Sequence, residues 1–460
     1  MYKVDFNSPI HVHFIAIGGI SMSGLAEILL NRGFTISGSD SKRSELTDRL
    51  EENGAKVSIG QRASNITDGT DLVVYSAAIR EDNPEFAEAV KRGIPMLTRA
   101  QLLGEIMANY KVPVAVSGTH GKTTTTSMIS QILMANDCDP TITVGGMLES
   151  IGGNIRVGHS DFFVTEACEY TNSFLSFFPR ISIILNVEED HMDFFKDIGH
   201  IRKSFRSFAE LTPEDGTLII GGDIEKYEEL TANVKGSVVT FGLSSDCDYS
   251  ADNITYDELA RPSYDLIYKK EHTGIRITLG VPGEHNVSNS LAAIAFARAI
   301  GLEYGQAAAG LREFTGTDRR FQFKGKLGGI TILDDYAHHP SEIRATLTAA
   351  RKCAHKRIVV AFQPHTYSRT KAFLKEFANA LSLADIVVLA DIYAAREKNT
   401  YNISSEDLLA VLQSMGVDSA YFPTFDEIEN YLLQKCTEGD LLITMGAGDI
   451  DMVGDKLLGR

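Results

Sequence analysis

The sequence predicts an α/β protein of three domains, each a sheet covered by helices. Three observations carry this. The chain has 460 residues, well past the ~250–300 at which one hydrophobic core stops growing. Short apolar runs alternate with helix-spaced amphipathic stretches along most of its length, the pattern of strands crossed over by helices. Two of the apolar runs end in glycine-rich turns, at residues 18–19 and 118–121.

Composition narrows the function classes. With 43% hydrophobic and 23% charged residues, the chain has enough apolar material for several cores. Lys and Arg number 44 against 61 Asp and Glu, a net charge of -17, and such a surface repels nucleic acid and anionic lipid at long range. Nucleic acid is not an expected partner, and a small anionic substrate needs a locally positive pocket. The five cysteines lie far apart with no CxxC pair, which argues against a disulfide framework or a structural zinc site and fits a reducing compartment. The apolar run at 14–20 has no cleavage-site pattern, and nothing approaches the ~20 apolar residues of a membrane span. A cytoplasmic protein without membrane insertion, monomeric or weakly dimeric, is expected.

The first unit covers residues 1–108. HVHFIAIGG reads as a buried strand entering a turn, and residues 21–33 place Met22, Leu25, Ala26, Leu29 and Leu30 at helical spacing before Gly33. Residues 34–40, 71–79 and 94–99 supply further strands of a parallel sheet. The second unit, 109–315, opens on a strand, a tight loop and a long helix; strands follow at 161–167 and 181–187. After Gly216, four strand-like segments with frequent polar spacers suggest an antiparallel or mixed sheet. Residues 283–302 read as a loop entering a helix. The third unit, 316–460, has four strand-and-turn segments: ITILDDY, RIVVAFQP, DIVVLAD and LLITMGAGDI.

VAVSGTHGKTTTTS is the strongest local signal. Glycines at 118 and 121 permit a tight turn whose N–H groups approach phosphate oxygens. Lys122 offsets β/γ-phosphate charge, Thr123 offers a hydroxyl to Mg²⁺, and the helix start favours an anion. Thr119, His120 and Thr124 complete the loop. It is not the full GxxxxGK[ST] pattern, because Val116 stands where that pattern has its first glycine. An ordinary strand-to-helix turn with a solvated lysine accounts poorly for this combination, so the chain is expected to bind ATP and Mg²⁺.

The first glycine turn is weaker. Gly18 and Gly19 follow a strand, but Ala16 and Ser21 break the GxGxxG frame. What survives is a strand–turn–helix anion site for a phosphorylated ligand, with Asp40 placed 22 positions beyond Gly18 to meet a ribose or base. Glu166 ends a strand, and His191 lies in the acidic knot NVEEDHMD; both become Mg²⁺ ligand candidates because a phosphate loop lies upstream. Asn286 and Asn289 suit base or substrate contacts, although Asn289 equally suits a helix cap. Arg319 and Arg320 stand at a domain boundary, where they can bridge a nucleotide or remain a solvated pair. Asp335, His338, His365 and Arg369 follow strands of the third unit, where binding loops collect. The two histidines at 338 and 339 lack a convincing third soft ligand for zinc.

Taken together and in order, GGISMSGLA, SGSD, GTHGKTTTTSM, TEACEY, NVEEDHMD, GEHNVSN, TDRRF, DDYAHHPSEI, FQPHTYSRT and GAGD resemble the Mur ligases of bacterial cell-wall synthesis over essentially the whole chain. One departure is Ser21, where this branch usually has glycine. The resemblance implies a Rossmann-like UDP-sugar domain, a central P-loop-type ATPase domain and a Rossmann-like C-terminal domain for amino-acid binding and closure. It implies an ATP-dependent ligase acting through an acyl phosphate, the best-matching branch joining L-alanine to UDP-N-acetylmuramate. Lys122, Arg320 and His338 become catalytic candidates. Residues 118–124, Asn286, Asn289, Arg320 and Asp335 are assigned to ATP, and Thr123, Glu166 and His191 to the metal. Gly18, Gly19 and Asp40 are assigned to the UDP-sugar, and His365 and Arg369 to the amino acid or to closure.

Overall fold

The computed structural model describes residues 2–76, 78–395 and 397–460. Three sheets are built in chain order from residues 11–98, 112–278 and 322–445. The first is wholly parallel, ordered Lys56–Ile59, Thr35–Asp40, His11–Ile15, Leu72–Tyr75 and Met96–Thr98. That order reverses direction at His11–Ile15, so the turn after this strand lies at a topological switch point, where parallel α/β sheets bind ligands. The predicted helix spans Ile20–Asn31, with Gly33 at a φ of 83° as its stop. The strand expected over 71–79 covers only Leu72–Tyr75, and its Ala77 lies outside the described residues.

The central sheet has ten strands, ordered Glu271–Thr278, Pro262–Tyr268, Tyr249–Tyr256, Ser237–Phe241, Thr217–Gly221, Ile181–Ile184, Val112–Ser117, Phe162–Glu166, Thr141–Leu148 and Gly153–Arg156. The expected change of pairing after Gly216 comes later than the sequence suggested. Thr217–Gly221 and Ser237–Phe241 continue the parallel sheet, and beyond Gly216 antiparallel pairing starts between Tyr249–Tyr256 and Pro262–Tyr268. At the opposite edge Thr141–Leu148 and Gly153–Arg156 also pair antiparallel, so the sheet is mixed. Polar spacing misled here because Ser237–Phe241 begins exposed and ends buried, so a parallel strand carried the half-exposed pattern of an antiparallel one.

The third sheet is ordered Gln322–Leu327, Ile330–Asp335, Leu441–Met445, Ile358–Phe362, Ile386–Leu389 and Asp418–Tyr421, with only the first pair antiparallel. The four strands read from sequence are present. Gln322–Leu327 and Asp418–Tyr421 were not foreseen, because both are edge strands with few buried residues.

Burial joins the first two domains firmly. One apolar cluster runs from Val12, Phe14 and Leu29 through Ile106 to Phe174, Phe205 and Phe208, and Phe174 stacks on Phe208 at 4.7 Å. The helix Arg99–Met107 lies against the turn Tyr170–Ser176. A Cβ at Gly104 would stand 1.9 Å from the Ser176 carbonyl oxygen, so this close approach requires glycine. No apolar cluster among the described residues spans the central and third sheets. Among the same residues, no helix is long and apolar enough to cross a membrane.

Candidate functional site

The strand Val112–Ser117 lies mid-sheet between Ile181–Ile184 and Phe162–Glu166, so three neighbouring strands end on one side with their loops together. Gly118 has a φ of 142° and Gly121, capping the helix Lys122–Ala135, has a φ of 83°. A Cβ at 118 would lie 2.9 Å from Leu185 Cβ, and one at 121 would lie 2.7 Å from Asn289 Oδ1. Both positions therefore need glycine for conformation and for space. Asn186 staples the loop. Its Oδ1 accepts from the His120 N–H (2.8 Å) and its Nδ2 donates to the His120 carbonyl (3.1 Å). The Thr119 hydroxyl accepts from the Glu188 N–H at 2.9 Å.

Lys122 Nζ donates to the carbonyls of Gly118 and Thr119 and to Glu169 Oε2 at 3.0 Å. Burial alone would lower its pKa, but the Glu169 carboxylate outweighs that and holds the ammonium above its ordinary value. Glu169 is only 2% exposed and its Oε1 lies 3.8 Å from His191 Nε2. Glu166 is paired in register with Val116, beside the phosphate loop, and its Oε1 accepts from the Gly145 N–H. Thr123 is buried at the front of its helix, and Thr124 lines the adjoining cavity.

That cavity, about 440 Å³, is lined by His120, Gly121, Thr124, Asn286, Asn289, Arg320 and Asp335 among others. Seven of the residues assigned to ATP by sequence, Arg320 among them, thus meet around one hollow between the central and C-terminal domains. Asn289 lies inside the helix His285–Ala299 and is not its cap. Its Nδ2 donates to Asn286 Oδ1 (2.9 Å), and Asn286 Nδ2 donates to the Pro282 carbonyl (2.7 Å). Asp335 accepts from the N–H groups of Phe321 and Ala337, both at 2.8 Å; burial pushes its pKa up to about 6 against the pull of Arg320.

The two neighbouring arginines separate. Arg319 bonds Asp334 (2.9 Å) and the carbonyls of Gly446 and Gly448, deep in the third sheet's loops. Arg320 stays on the cavity wall, 3.9 Å from Glu342. His338 is partly buried and its Nδ1–H donates to the Tyr336 carbonyl at 2.9 Å; desolvation lowers its pKa to about 4, so the ring is neutral.

A second cavity, about 480 Å³, holds Asp190, His191, His365, Arg369, Glu397 and Tyr401. Arg369 Nη2 donates to Asp190 Oδ1 at 2.9 Å and Nη1 to the His365 carbonyl at 3.0 Å. Burial and Arg369 lower His365 to about 4. Outside the lining of both cavities, the Gly18 N–H donates to Asp40 Oδ2 at 2.9 Å, so Asp40 holds the first glycine turn itself, and Gly19 is exposed at the helix start.

Three residues central to this geometry escaped the sequence. Glu169 stands three positions after Glu166, and nothing in the local pattern tells the two carboxylates apart. Asn186 sits between a strand and the acidic knot. Glu342 is the third residue of the helix opened by Pro340, a spacing that marks a capping carboxylate. It accepts from the N–H groups of His338 (3.1 Å) and His339 (3.3 Å) and, through Oε1, pairs with His120 Nδ1 at 3.2 Å. Burial opposes a charged His120, but Glu188 and Glu342 outweigh it and raise its pKa to about 9.

Known proteins share this architecture and are similar in sequence. Residues 11–111 match the Mur ligase family catalytic domain, 116–297 the Mur ligase middle domain, and 319–448 the Mur ligase glutamate ligase domain. UDP-N-acetylmuramate–L-alanine ligases of Agathobacter rectalis and Lachnospira eligens are 61% and 60% identical over the full length of both chains. The crystal structure of the Thermotoga maritima UDP-N-acetylmuramate-alanine ligase superposes with a TM-score of 0.80 at 30% identity, covering 98% of this chain and 99% of that one. A murein peptide ligase from Psychrobacter arcticus shares the fold, at 24% identity and a TM-score of 0.71 over 98% of each chain. Full-length identity with these ligases, on a three-sheet frame that gathers the motifs around one phosphate loop, makes this chain a member of the Mur ligase family.

Proposed function

We propose that this chain is the ATP-dependent ligase that joins L-alanine to UDP-N-acetylmuramate in peptidoglycan synthesis. The observation that carries the chemistry is Lys122, held between the Gly118 and Thr119 carbonyls and Glu169, next to Gly121 of the nucleotide cavity wall. The full-length identity to L-alanine ligases carries the choice of acceptor.

The lactyl carboxylate of the sugar nucleotide attacks the γ-phosphorus of ATP, the bond to the β-phosphate oxygen breaks, and ADP leaves. The acyl phosphate so formed is attacked by the neutral amine of L-alanine, and the tetrahedral intermediate collapses to amide and phosphate. Lys122 offsets charge on the transferring group, and the loop N–H groups hold the phosphates. Thr123, Glu166 and His191 are the residues that would hold Mg²⁺. Thr123 opens the helix after the loop, Glu166 ends the strand beside Val112–Ser117, and His191 lies in the loop after Ile184, 3.8 Å from Glu169. A hydroxyl, a carboxylate oxygen and one imidazole suit a hard cation that keeps its other positions for phosphate and water. When bound, that ion supplies charge neutralisation at the β/γ-phosphates. His338, with Nδ1–H committed to the Tyr336 carbonyl and its pKa lowered to about 4, is a neutral ring that can accept a hydrogen bond from the attacking amine at Nε2, while the proton the nitrogen loses leaves with the phosphate. Asn286, Asn289, Arg320 and Asp335 line the nucleotide side, His365 and Arg369 the amino-acid side, and Gly18, Gly19 and Asp40 the UDP side.

The test is an acceptor assay with purified enzyme, ATP, Mg²⁺ and UDP-N-acetylmuramate. L-Alanine should give ADP, phosphate and the alanyl product, whereas murein tripeptide should not. Phosphate release that requires tripeptide would refute the reading.

A further inference from the structure

The two domain boundaries differ in kind. The N-terminal and central domains share an apolar cluster, whereas the central and C-terminal domains meet through polar contacts, the condition under which relative motion is expected. Several of those contacts meet at the phosphate loop. His120 has its backbone held by Asn186, yet its side chain leaves the loop and reaches Glu342 Oε1, 3.2 Å away on the C-terminal helix Pro340–Ala350. Its Nε2 lies 3.5 Å from Glu188 Oε2, and that same oxygen accepts from the Ser341 hydroxyl at 2.6 Å. The His339 ring lies 4.8 Å from that of His120.

We propose that His120 and Glu342 form a clasp that couples closure of the C-terminal domain to the conformation of the phosphate loop, making both positioning residues for ligation. This rests on the ligase reading. One Glu342 oxygen accepts from two N–H groups at its own helix start while the other engages the loop histidine, so the helix start and the loop are fixed by the same carboxylate. Arg320, on the cavity wall, is 3.9 Å from that carboxylate. The clasp therefore closes only when the nucleotide-lining groups of both domains are brought together. A metal is not the better occupant of this cluster. Ligand atoms of His120, Glu188 and His339 lie within 4.8 Å of one another, but His339 spends Nε2 on the Glu189 carbonyl and Nδ1 on the Ser341 N–H.

The experiment is a double-mutant cycle on the full-length enzyme with His120→Gln, Glu342→Gln and the double variant. Each single substitution is expected to lower kcat roughly tenfold, and the double no further, because both remove one interaction. Affinity for UDP-N-acetylmuramate, bound by the N-terminal domain, should be unchanged. Small-angle scattering should show the wild type compacting with a non-hydrolysable ATP analogue plus UDP-N-acetylmuramate, and the variants failing to compact. Losses that multiply to about a hundredfold, unchanged kcat, or full compaction in His120→Gln would each overturn the clasp. His120→Gln leaves the helix cap intact and decides the matter if Glu342→Gln does not fold. A wild type that compacts but makes no product would sink the ligase reading and leave the clasp standing.

Discussion

Lys122 and Glu169 form a buried ion pair at 3.0 Å, side chains 16% and 3% exposed, at the point where the phosphate loop becomes a helix. The lysine that serves phosphate is thus held ready by a carboxylate. Lys122→Ala should abolish ligation and also leave Glu169 without its counter-charge, destabilising the protein by roughly 3–5 kcal/mol. The double variant Lys122→Ala/Glu169→Gln should regain most of the lost melting temperature and none of the activity. A Lys122→Ala protein with near-normal ligation would remove this residue from the mechanism.

Gly121→Ala tests the loop by conformation and by space. Its left-handed backbone costs about 1–2 kcal/mol with a Cβ, and the methyl group would press on Asn289 Oδ1 at 2.7 Å. ATP affinity should fall at least tenfold. Gly93→Ala shares the positive φ (68°) but meets nothing within 4 Å, so it should cost stability alone. Isothermal titration with an ATP analogue separates the two.

Arg319 and Arg320 should behave as opposites. Arg319→Ala strands Asp334, which is fully buried, and should lower stability by roughly 3–5 kcal/mol. Arg320→Ala should leave melting nearly unchanged and raise KM for ATP. Equal effects of the two substitutions on KM would contradict the division seen in the structure.

His120 predicts an alkaline limb. Its pKa rises from 6.5 to about 9 on folding, so the folded state binds the proton more tightly. The stability this contributes is fully present below about pH 6.5 and is lost as pH rises through about 9. Thermal melting from pH 6 to 10 should show this loss in the wild type, and His120→Gln should flatten that part of the curve. An identical pH dependence in both proteins would show that His120 is not charged in the fold.

Much of the site was legible in the chain. The phosphate loop was readable because strand, glycines, lysine and helix are contiguous, and each imposes a local requirement of dihedral angle or charge. Less was legible wherever an assignment depended on what faces a residue. Asn289 fitted a helix cap equally well until the helix was seen to begin at His285. Asp40, a candidate ligand contact, also accepts the Gly18 N–H and holds the turn, which no local pattern announced. Arg319 and Arg320 were indistinguishable as neighbours in sequence.

By itself, then, the sequence determined three α/β units, a nucleotide-binding turn and the family, because hydrophobic period and glycine placement act over a few residues. Only the tertiary structure decided that Glu169 holds Lys122, that Asn186 staples the loop, and that Glu342 reaches His120 across 222 positions. Those pairings depend on strand order and domain packing, which bring distant carboxylates and cations within ångströms without any local pattern to announce them.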